Sequence, residues 1–375
     1  MMRVMGHGGV TRVCHITTVH PVDDHRILHK ECVSLRHAGY DVTLIAPHER
    51  NAVVEGIPVV ALRAAARNRL ERMVRRPQAA YAAAVAVDAD LYHFHDPDFL
   101  PFAVRLARAG KRVVYDAHED VPTQIRHKEW IPAPARPAVA RAFARLEATC
   151  VSRLDAVVSP SEPALDRLRA HQPRVVPLPN YPQLDVLAPR AEWGERLRAA
   201  CYVGGVTRVR GACELVEAMA HADVELHLAG AISPPELAGE LERSPGWSRV
   251  RYLGRVEHAR VPELLARVKV GLIPLHPIPN YVDAYPVKLF EYMAAGLPVI
   301  ATDVPRWRAV LEAHGCGVCV APGSPRLLAE AITGLLDNDD RAREMGDRAR
   351  RAAVEHYSWE TQAAALADLY AELLS

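Results

Sequence analysis

The sequence predicts an α/β protein with two parallel-sheet domains in series, and three observations carry that prediction. At 375 residues the chain is long enough for two domains of roughly 150 residues each. Short runs rich in Val and Ile alternate with longer stretches of helical period, the rhythm of parallel strands joined by crossover helices. The rhythm stops at Pro177-Leu-Pro-Asn-Tyr-Pro-Gln183, which can continue neither a helix nor a ladder, and restarts after Ala199.

In chain order, the first set of strands is expected at 13–19, 42–45, 91–94, 113–115 and 156–158, and the second at 201–203, 224–228, 250–253, 270–273, 298–301 and 318–320. The last fifty residues carry helical period and no strand, which predicts helices over 340–356 and 359–374 packed across both domains. The expected division is an N-terminal domain at 1–180, a linker at 181–198, a C-terminal domain at 199–356 and a final helix at 357–375 that packs back on the N-terminal domain. Ligands of open parallel sheets bind beyond the carboxyl ends of the strands, so the site is expected in the strand-end loops of both sheets, facing a shared cleft.

Composition narrows the function classes. Half of the residues are hydrophobic and 24% are charged, as in soluble globular proteins. Lys+Arg 46 against Asp+Glu 45 leaves a net charge of +1, without the global signature of a nucleic-acid binder. No apolar run approaches the ~20 residues that cross a bilayer, and no signal-peptide core precedes the first charges, so a cytoplasmic location is expected. The seven Cys are scattered and are expected to be reduced; Cys316 and Cys319 read as part of a strand, since a zinc site needs two more ligands.

The most informative stretch is Asn280-Tyr-Val-Asp-Ala-Tyr-Pro-Val-Lys-Leu-Phe-Glu-Tyr-Met-Ala-Ala-Gly-Leu-Pro-Val-Ile300. Pro286 suits the first helical position and Gly296 the residue past the end, which predicts a helix over about 286–295. Free N–H groups near Val287, Lys288 and Leu289, together with the Lys288 ammonium, would form an anion site able to hold a diphosphate without a metal. Glu291, one turn on, could accept hydrogen bonds from vicinal hydroxyls, and Asp283 could reach a sugar hydroxyl from the preceding loop.

This run resembles the corresponding region of retaining glycosyltransferases of family 4, which have the GT-B fold of two Rossmann-like domains facing across a cleft. Tyr202-Val-Gly-Gly-Val-Thr-Arg-Val-Arg-Gly-Ala212 is similar to the same family's glycine turn, and the resemblance implies that Arg210 binds the donor diphosphate opposite Lys288, with Gly204 and Gly205 admitting the phosphates closely. Family members commonly place Glu where Asp283 stands, and some carry Arg at the place of Gly205, for which Arg208 is the candidate substitute. Val19-His-Pro-Val-Asp-Asp-His-Arg26, His95-Asp-Pro-Asp98 and Val114-Tyr-Asp-Ala-His-Glu-Asp-Val-Pro122 resemble the family's N-terminal strand-end loops, and Tyr357-Ser-Trp-Glu360 its final crossing helix. The implied function is transfer of a sugar from a nucleotide, UDP-linked by expectation, to a hydroxyl acceptor with retention of configuration and with neither cofactor nor metal, in glycan, glycolipid or natural-product biosynthesis. His118, in a loop crowded by Asp116, Glu119 and Asp120, would contact the donor sugar. Asp23, Asp24, Arg26, Asp96 and Glu119 are candidates for the acceptor, and the loop of Arg255 and Val256 for the base.

Rival readings attach to other residues. His93-Phe-His95-Asp96 has the look of a metal-hydrolase motif but lacks matching ligands at other strand ends. Asp88-Ala-Asp90 and Asp96-Pro-Asp98 spell the D-x-D signature of metal-dependent glycosyltransferases with a single sheet. A binding or scaffold protein on the same fold would have lost the charges at Arg210, Lys288 and Glu291. Residues 63–76 hold six Arg against one Glu and suit either a solvated helix or peripheral contact with an anionic membrane, the latter favouring a lipid-linked acceptor.

Overall fold

The computed structural model describes residues 10–63, 69–128, 130–189 and 191–375, with the side chains at 69–73, 258 and 280 outside the description. The chain divides into two compact units, Met1–Asn180 with Glu360–Ser375, and Tyr181–Trp359.

The first unit is built on eight strands: β1 (Arg12–Ile16), β2 (Asp41–Ala46), β3 (Ala52–Val54), β4 (Ile57–Ala61), β5 (Leu91–Phe94), β6 (Arg112–Asp116), β7 (Ala156–Ser159) and β8 (Val175–Pro177). Their order is β3-β4-β2-β1-β5-β6-β7-β8, parallel throughout except for the β3–β4 hairpin. Order reverses beside β1, whose two neighbours are β2 and β5. That is the switch point at which an open α/β sheet parts its strand-end loops.

The hairpin and β8 were not expected. β3 and β8 are only three residues long, and Pro58 and Pro177 lower the strand signal of β4 and β8. The hairpin turns at Glu55 and Gly56, both at positive φ, the arrangement of a two-residue turn that matches strand twist. Ile16, Ile45, Phe94, Tyr115 and Val157 form the centre of this unit's core, and Phe94 stacks on Tyr115 at 4.8 Å.

The second unit has β9 (Ala199–Val203), β10 (Glu225–Ala229), β11 (Val250–Gly254), β12 (Val270–Ile273), β13 (Val299–Thr302) and β14 (Gly317–Val320). The order β11-β10-β9-β12-β13-β14 is the doubly wound Rossmann arrangement, all parallel, with its switch point between β9 and β12.

The boundary between the units departs from expectation at the linker. Residues 181–198 belong to the second unit: Leu187 lies in its core, and Arg196 donates from Nη2 to the Ala295 carbonyl at 3.2 Å. The two terminal helices, Asp339–His356 and Trp359–Leu374, go to different units. The first packs on the helix Val287–Ala294, and Tyr357 lies against Phe290 with ring centroids 4.6 Å apart. The chain passes to the first unit at Glu360, where Tyr370 is fully buried.

Candidate functional site

In the second unit the strand-end loops after β9, β10 and β11 are laced together. Gly204 N–H donates to the Ala229 carbonyl at 2.9 Å and Gly230 N–H to the Gly254 carbonyl at 2.7 Å. The β9 loop then turns through Arg208–Arg210 into the helix Ala212–Met219. Gly211 makes that turn at φ 78°, and a Cβ there would lie 2.2 Å from the Pro274 carbonyl oxygen. Gly211→Ala combines a disfavoured backbone with overpacking, each costing about 1 kcal/mol or more. A lowered Tm and displacement of the adjacent Arg210 are expected, readable by thermal denaturation and nucleotide titration.

The other half of this site is the helix Val287–Ala294. Pro286 is its cap residue rather than its first turn, with ψ 126°. Lys288 projects toward the glycine turn: its Nζ stands 3.7 Å above the Tyr202 ring, and a Cβ on Gly204 would come within 3.0 Å of it. A Cβ on Gly205 would sit 2.9 Å from Arg210 Nη1. The two glycines therefore make room for two cations. Arg210 is oriented by its Nε–H, which donates to the Tyr281 hydroxyl at 3.3 Å.

Electrostatically this site is unfinished. Lys288 Nζ is shut off from water and has no hydrogen-bond partner among the described residues. Burial first, and the charge of Arg210 second, push its pKa down to about 7, with Glu291 pulling it partly back. A buried ammonium without partners is expensive. Two convergent cations with no carboxylate between them fit an anion.

The expected site residues fare unevenly. Gly204, Gly205, Arg210 and Lys288 come together, with Glu291 half-buried on the same helix. Leu289 does not contribute an anion-binding amide, because its N–H donates to the Pro286 carbonyl at 2.9 Å and its side chain lies in the core. Val287, rather than Pro286, opens the helix. Asp283 is exposed and ends the short helix Pro279–Val282. Arg255 is exposed after β11, while Val256 packs against the core. Arg208 is turned away and ion-paired with Glu240.

In the first unit, several residues expected to face an acceptor are engaged internally. Asp24 caps the helix His25–Cys32, accepting from the Arg26 and Ile27 N–H groups at 3.0 Å each. Asp96 braces the loop after β1, accepting from the Thr17 hydroxyl and the Thr18 N–H at 2.7 Å each. Arg26 is buried; its Nε–H donates to Asp116 at 2.9 Å, with Glu31 at 3.0 Å, and its Nη1 to the Leu178 carbonyl at 3.0 Å. Asp23 and Glu119 are exposed, and Gln124 donates to Glu119.

The D-x-D pairs are likewise taken. Asp90 accepts from the Arg12 N–H at 2.8 Å and Asp88 pairs with Lys111 at 2.6 Å, both ahead of the strands. Asp98 accepts from the Thr18 hydroxyl at 2.7 Å. Of residues 63–76, the stretch 64–68 lies outside the described residues; the helix Arg69–Val87 begins after it, and Arg76 donates to the Thr18 carbonyl at 3.2 Å. No helix among the described residues is long and apolar enough to cross a membrane.

Sequence reasoning grouped His93 and His95 with Asp96 and expected no matching ligands elsewhere; the structure instead sets them beside Glu31 and Asp116, with Asp96 bracing the loop after β1. Glu31, His93, His95 and Asp116 are buried and bring one metal-ligand-type atom each within 4.8 Å of one another. The cation among them is the Arg26 guanidinium, on both carboxylates. Burial holds the Glu31 carboxyl well above the usual range, whereas Arg26 and His118 keep Asp116 ionised against the same desolvation. Arg26 and Glu31 face inward from a helix with wide π-type turns, His25–Cys32, a geometry frequent at functional sites. The available signal was three His, at 15, 93 and 95, inside otherwise apolar strands.

Comparison with known proteins agrees with this geometry. A family described as "Glycosyl transferases group 1" matches residues 198–338, and one described as "Glycosyl transferase 4-like domain" matches residues 25–181. The chain is 28% identical over 173 residues to an MMP alpha-(1->4)-mannosyltransferase of Mycolicibacterium hassiacum, covering 44% of this chain and 41% of that protein. It is 30% identical over 249 residues to an alpha-maltose-1-phosphate synthase of Mycolicibacterium smegmatis, covering 57% of this chain and 62% of the relative. The matched stretches thus span less than two thirds of these relatives. Among solved structures, the sucrose-phosphate synthase of Thermosynechococcus elongatus superposes with TM-score 0.75 at 20% identity, covering 97% of this chain and 99% of the other. HepE of Anabaena, solved in complex with UDP, superposes with TM-score 0.72 at 15% identity, covering 97% and 100%. These likenesses establish the GT-B fold.

Proposed function

Since the chain belongs to the GT4-type glycosyltransferases, we propose that it transfers a sugar from a nucleoside diphosphate to a hydroxyl acceptor with retention of configuration, and that the nucleotide is UDP. The observation that carries this reading is Lys288: an ammonium excluded from water, over the Tyr202 ring and without a hydrogen-bond partner among the described residues, converging with Arg210 on a glycine turn. Cleavage of the bond between sugar and diphosphate builds negative charge on the leaving phosphate, and preorganised cations there are the largest expected catalytic contribution. Lys288 and Arg210 supply that charge in place of a metal. With retention, the acceptor attacks on the face the leaving group departs from, and the β-phosphate oxygen takes the acceptor proton. Glu291 binds the ribose hydroxyls, Asp283 and His118 the donor sugar, and the exposed Asp23 and Glu119 lie on the acceptor side. The choice of UDP is supported by HepE, whose structures hold UDP and UDP-glucose.

The test is release of nucleoside diphosphate from a panel of UDP-, GDP- and ADP-sugars. Glu291→Ala is expected to lower release at least about tenfold from the preferred donor with the fold intact; full turnover in that variant would contradict the assignment.

A pH dependence follows from Lys288. The free site titrates at about pH 7, and a bound diphosphate raises that value. Below pH 7 the ammonium is already present, so Lys288 adds no further pH dependence, and affinity declines again only as the terminal phosphate takes up a proton near pH ~6. Above it binding takes up a proton, and affinity falls by up to about tenfold per pH unit. Calorimetry in two buffers of different ionisation enthalpy measures that uptake; pH-independent affinity between 7 and 9, with no uptake, would show that Lys288 does not meet the phosphate.

A further inference from the structure

We infer that Asp116 fixes the tautomer of His118, keeping the imidazole proton on Nε2 and leaving Nδ1 as an outward hydrogen-bond acceptor, and that the inner imidazoles are ordered by the same constraint. The inference rests on the reading of His118 as a donor-sugar contact.

The geometry turns on one nitrogen. His118 Nε2 lies 3.3 Å from Asp116 Oδ2 and 3.1 Å from His95 Nδ1, whereas its Nδ1 has no hydrogen bond to a described residue. Asp116 is fully buried and receives the Arg26 Nε–H at 2.9 Å, so it is a carboxylate with no proton to give. If His118 Nε2 were bare, His95 would have to carry its proton on Nδ1. Asp116 would then face a lone pair at 3.3 Å, and its imidazole donor would be His95 Nδ1 at 3.6 Å, beyond hydrogen-bond reach. With the proton on His118 Nε2, two acceptors share one N–H, and the bare nitrogen that faces Asp116 is the more distant His95 Nδ1 at 3.6 Å.

The rest of the chain then closes. A neutral imidazole has one donor and one acceptor nitrogen. His95, with Nδ1 bare, donates from Nε2 to His15 Nδ1 at 3.1 Å. His15 donates from Nε2 to the Tyr370 hydroxyl oxygen at 3.2 Å, and the Tyr370 O–H donates to His93 Nδ1 at 2.7 Å. Each link has one donor and one acceptor, and the chain ends on the buried His93 Nε2–H, which has no hydrogen-bond partner among the described residues. Burial keeps the inner rings neutral, pushing His15 and His93 well below the usual range and His95 down to about 4.

Asp116 is thus a positioning residue, and in this tautomer His118 Nδ1 accepts a hydrogen bond from a sugar hydroxyl rather than donating one. A carboxylate behind an imidazole is a general means of choosing which nitrogen faces the substrate.

The test uses the full chain labelled with 15N-histidine. Long-range proton–nitrogen spectra at alkaline pH distinguish a protonated from a bare ring nitrogen, and His118→Gln assigns the signal. The native protein is expected to show His118 with Nε2 protonated and Nδ1 bare. Asp116→Ala, which removes the carboxylate oxygen that faces Nε2, should shift His118 toward the other tautomer. Tyr370→Phe should disturb His15 and His93 and leave His118 unchanged.

A native His118 protonated on Nδ1, or a His118 signal indifferent to Asp116→Ala, would overturn the inference. If Asp116→Ala fails to fold, the native spectrum decides alone. UDP binding, measured on the same samples, is expected to survive Asp116→Ala. Absence of binding by the native protein would count against the proposed function and leave the tautomer result standing.

Discussion

Lys288→Met is expected to abolish nucleotide binding and, at the same time, to raise the melting temperature. The two effects share one cause. The native ammonium is held away from water with no hydrogen-bond partner among the described residues, beside a second cation, at a pKa depressed to about 7. A folded pKa below the unfolded value means that the unfolded chain binds more protons between the two. Stability contributed by this group therefore rises with pH from about 7 toward the ordinary lysine range, and its full cost falls below pH 7.

Met keeps the unbranched stem and removes the charge. The gain in Tm should be largest below pH 7 and shrink as pH rises. A site that trades stability for binding behaves this way. An ordinary structural lysine would instead lose stability on removal, so a lowered Tm together with unchanged UDP affinity would place Lys288 in the scaffold.

Arg26→Met is expected to be the most destabilising single change in the first unit. The guanidinium bridges Asp116 and Glu31 and donates to the Leu178 carbonyl. Removing one partner of a buried ion pair leaves an uncompensated charge and costs about 3–5 kcal/mol. In a unit of this size that is a fall in Tm of roughly 6–20 °C.

Glu31→Gln is the control. Burial, the largest influence on Glu31, keeps its carboxyl protonated, so the amide is close to isosteric and isoelectronic and should change Tm little. Equal losses from the two variants would mean that both carboxylates are ionised around Arg26.

The two sites differ in how far they could be read from the sequence, for a physical reason. The proposed phosphate site is assembled from two continuous stretches, 202–212 and 283–291, in which helix caps, glycines and cations follow one another, so linear spacing carries its geometry. The histidine network draws on β1, the helix after it, β5, β6 and the last helix, with members from His15 to Tyr370; no local spacing encodes it. Asp24, Arg26 and Asp96 show the opposite error. A polar residue at a strand end looks like a ligand contact, yet loop N–H groups and buried carboxylates must be satisfied first, and these three satisfy them. The strands followed the same logic. Long apolar runs such as 270–273 were legible, whereas three-residue edge strands such as Ala52–Val54, with exposed Val53, were not.

The central claim is that the second unit cages a diphosphate between Lys288 and Arg210. Calorimetric titration of the native protein with UDP, UMP and uridine, repeated with GDP and ADP, tests it most directly. The account requires a nucleoside diphosphate to bind, affinity to drop at each loss of phosphate, and proton uptake to accompany binding above pH 7. Equal affinities for UDP, UMP and uridine, or no binding by any diphosphate, would contradict it.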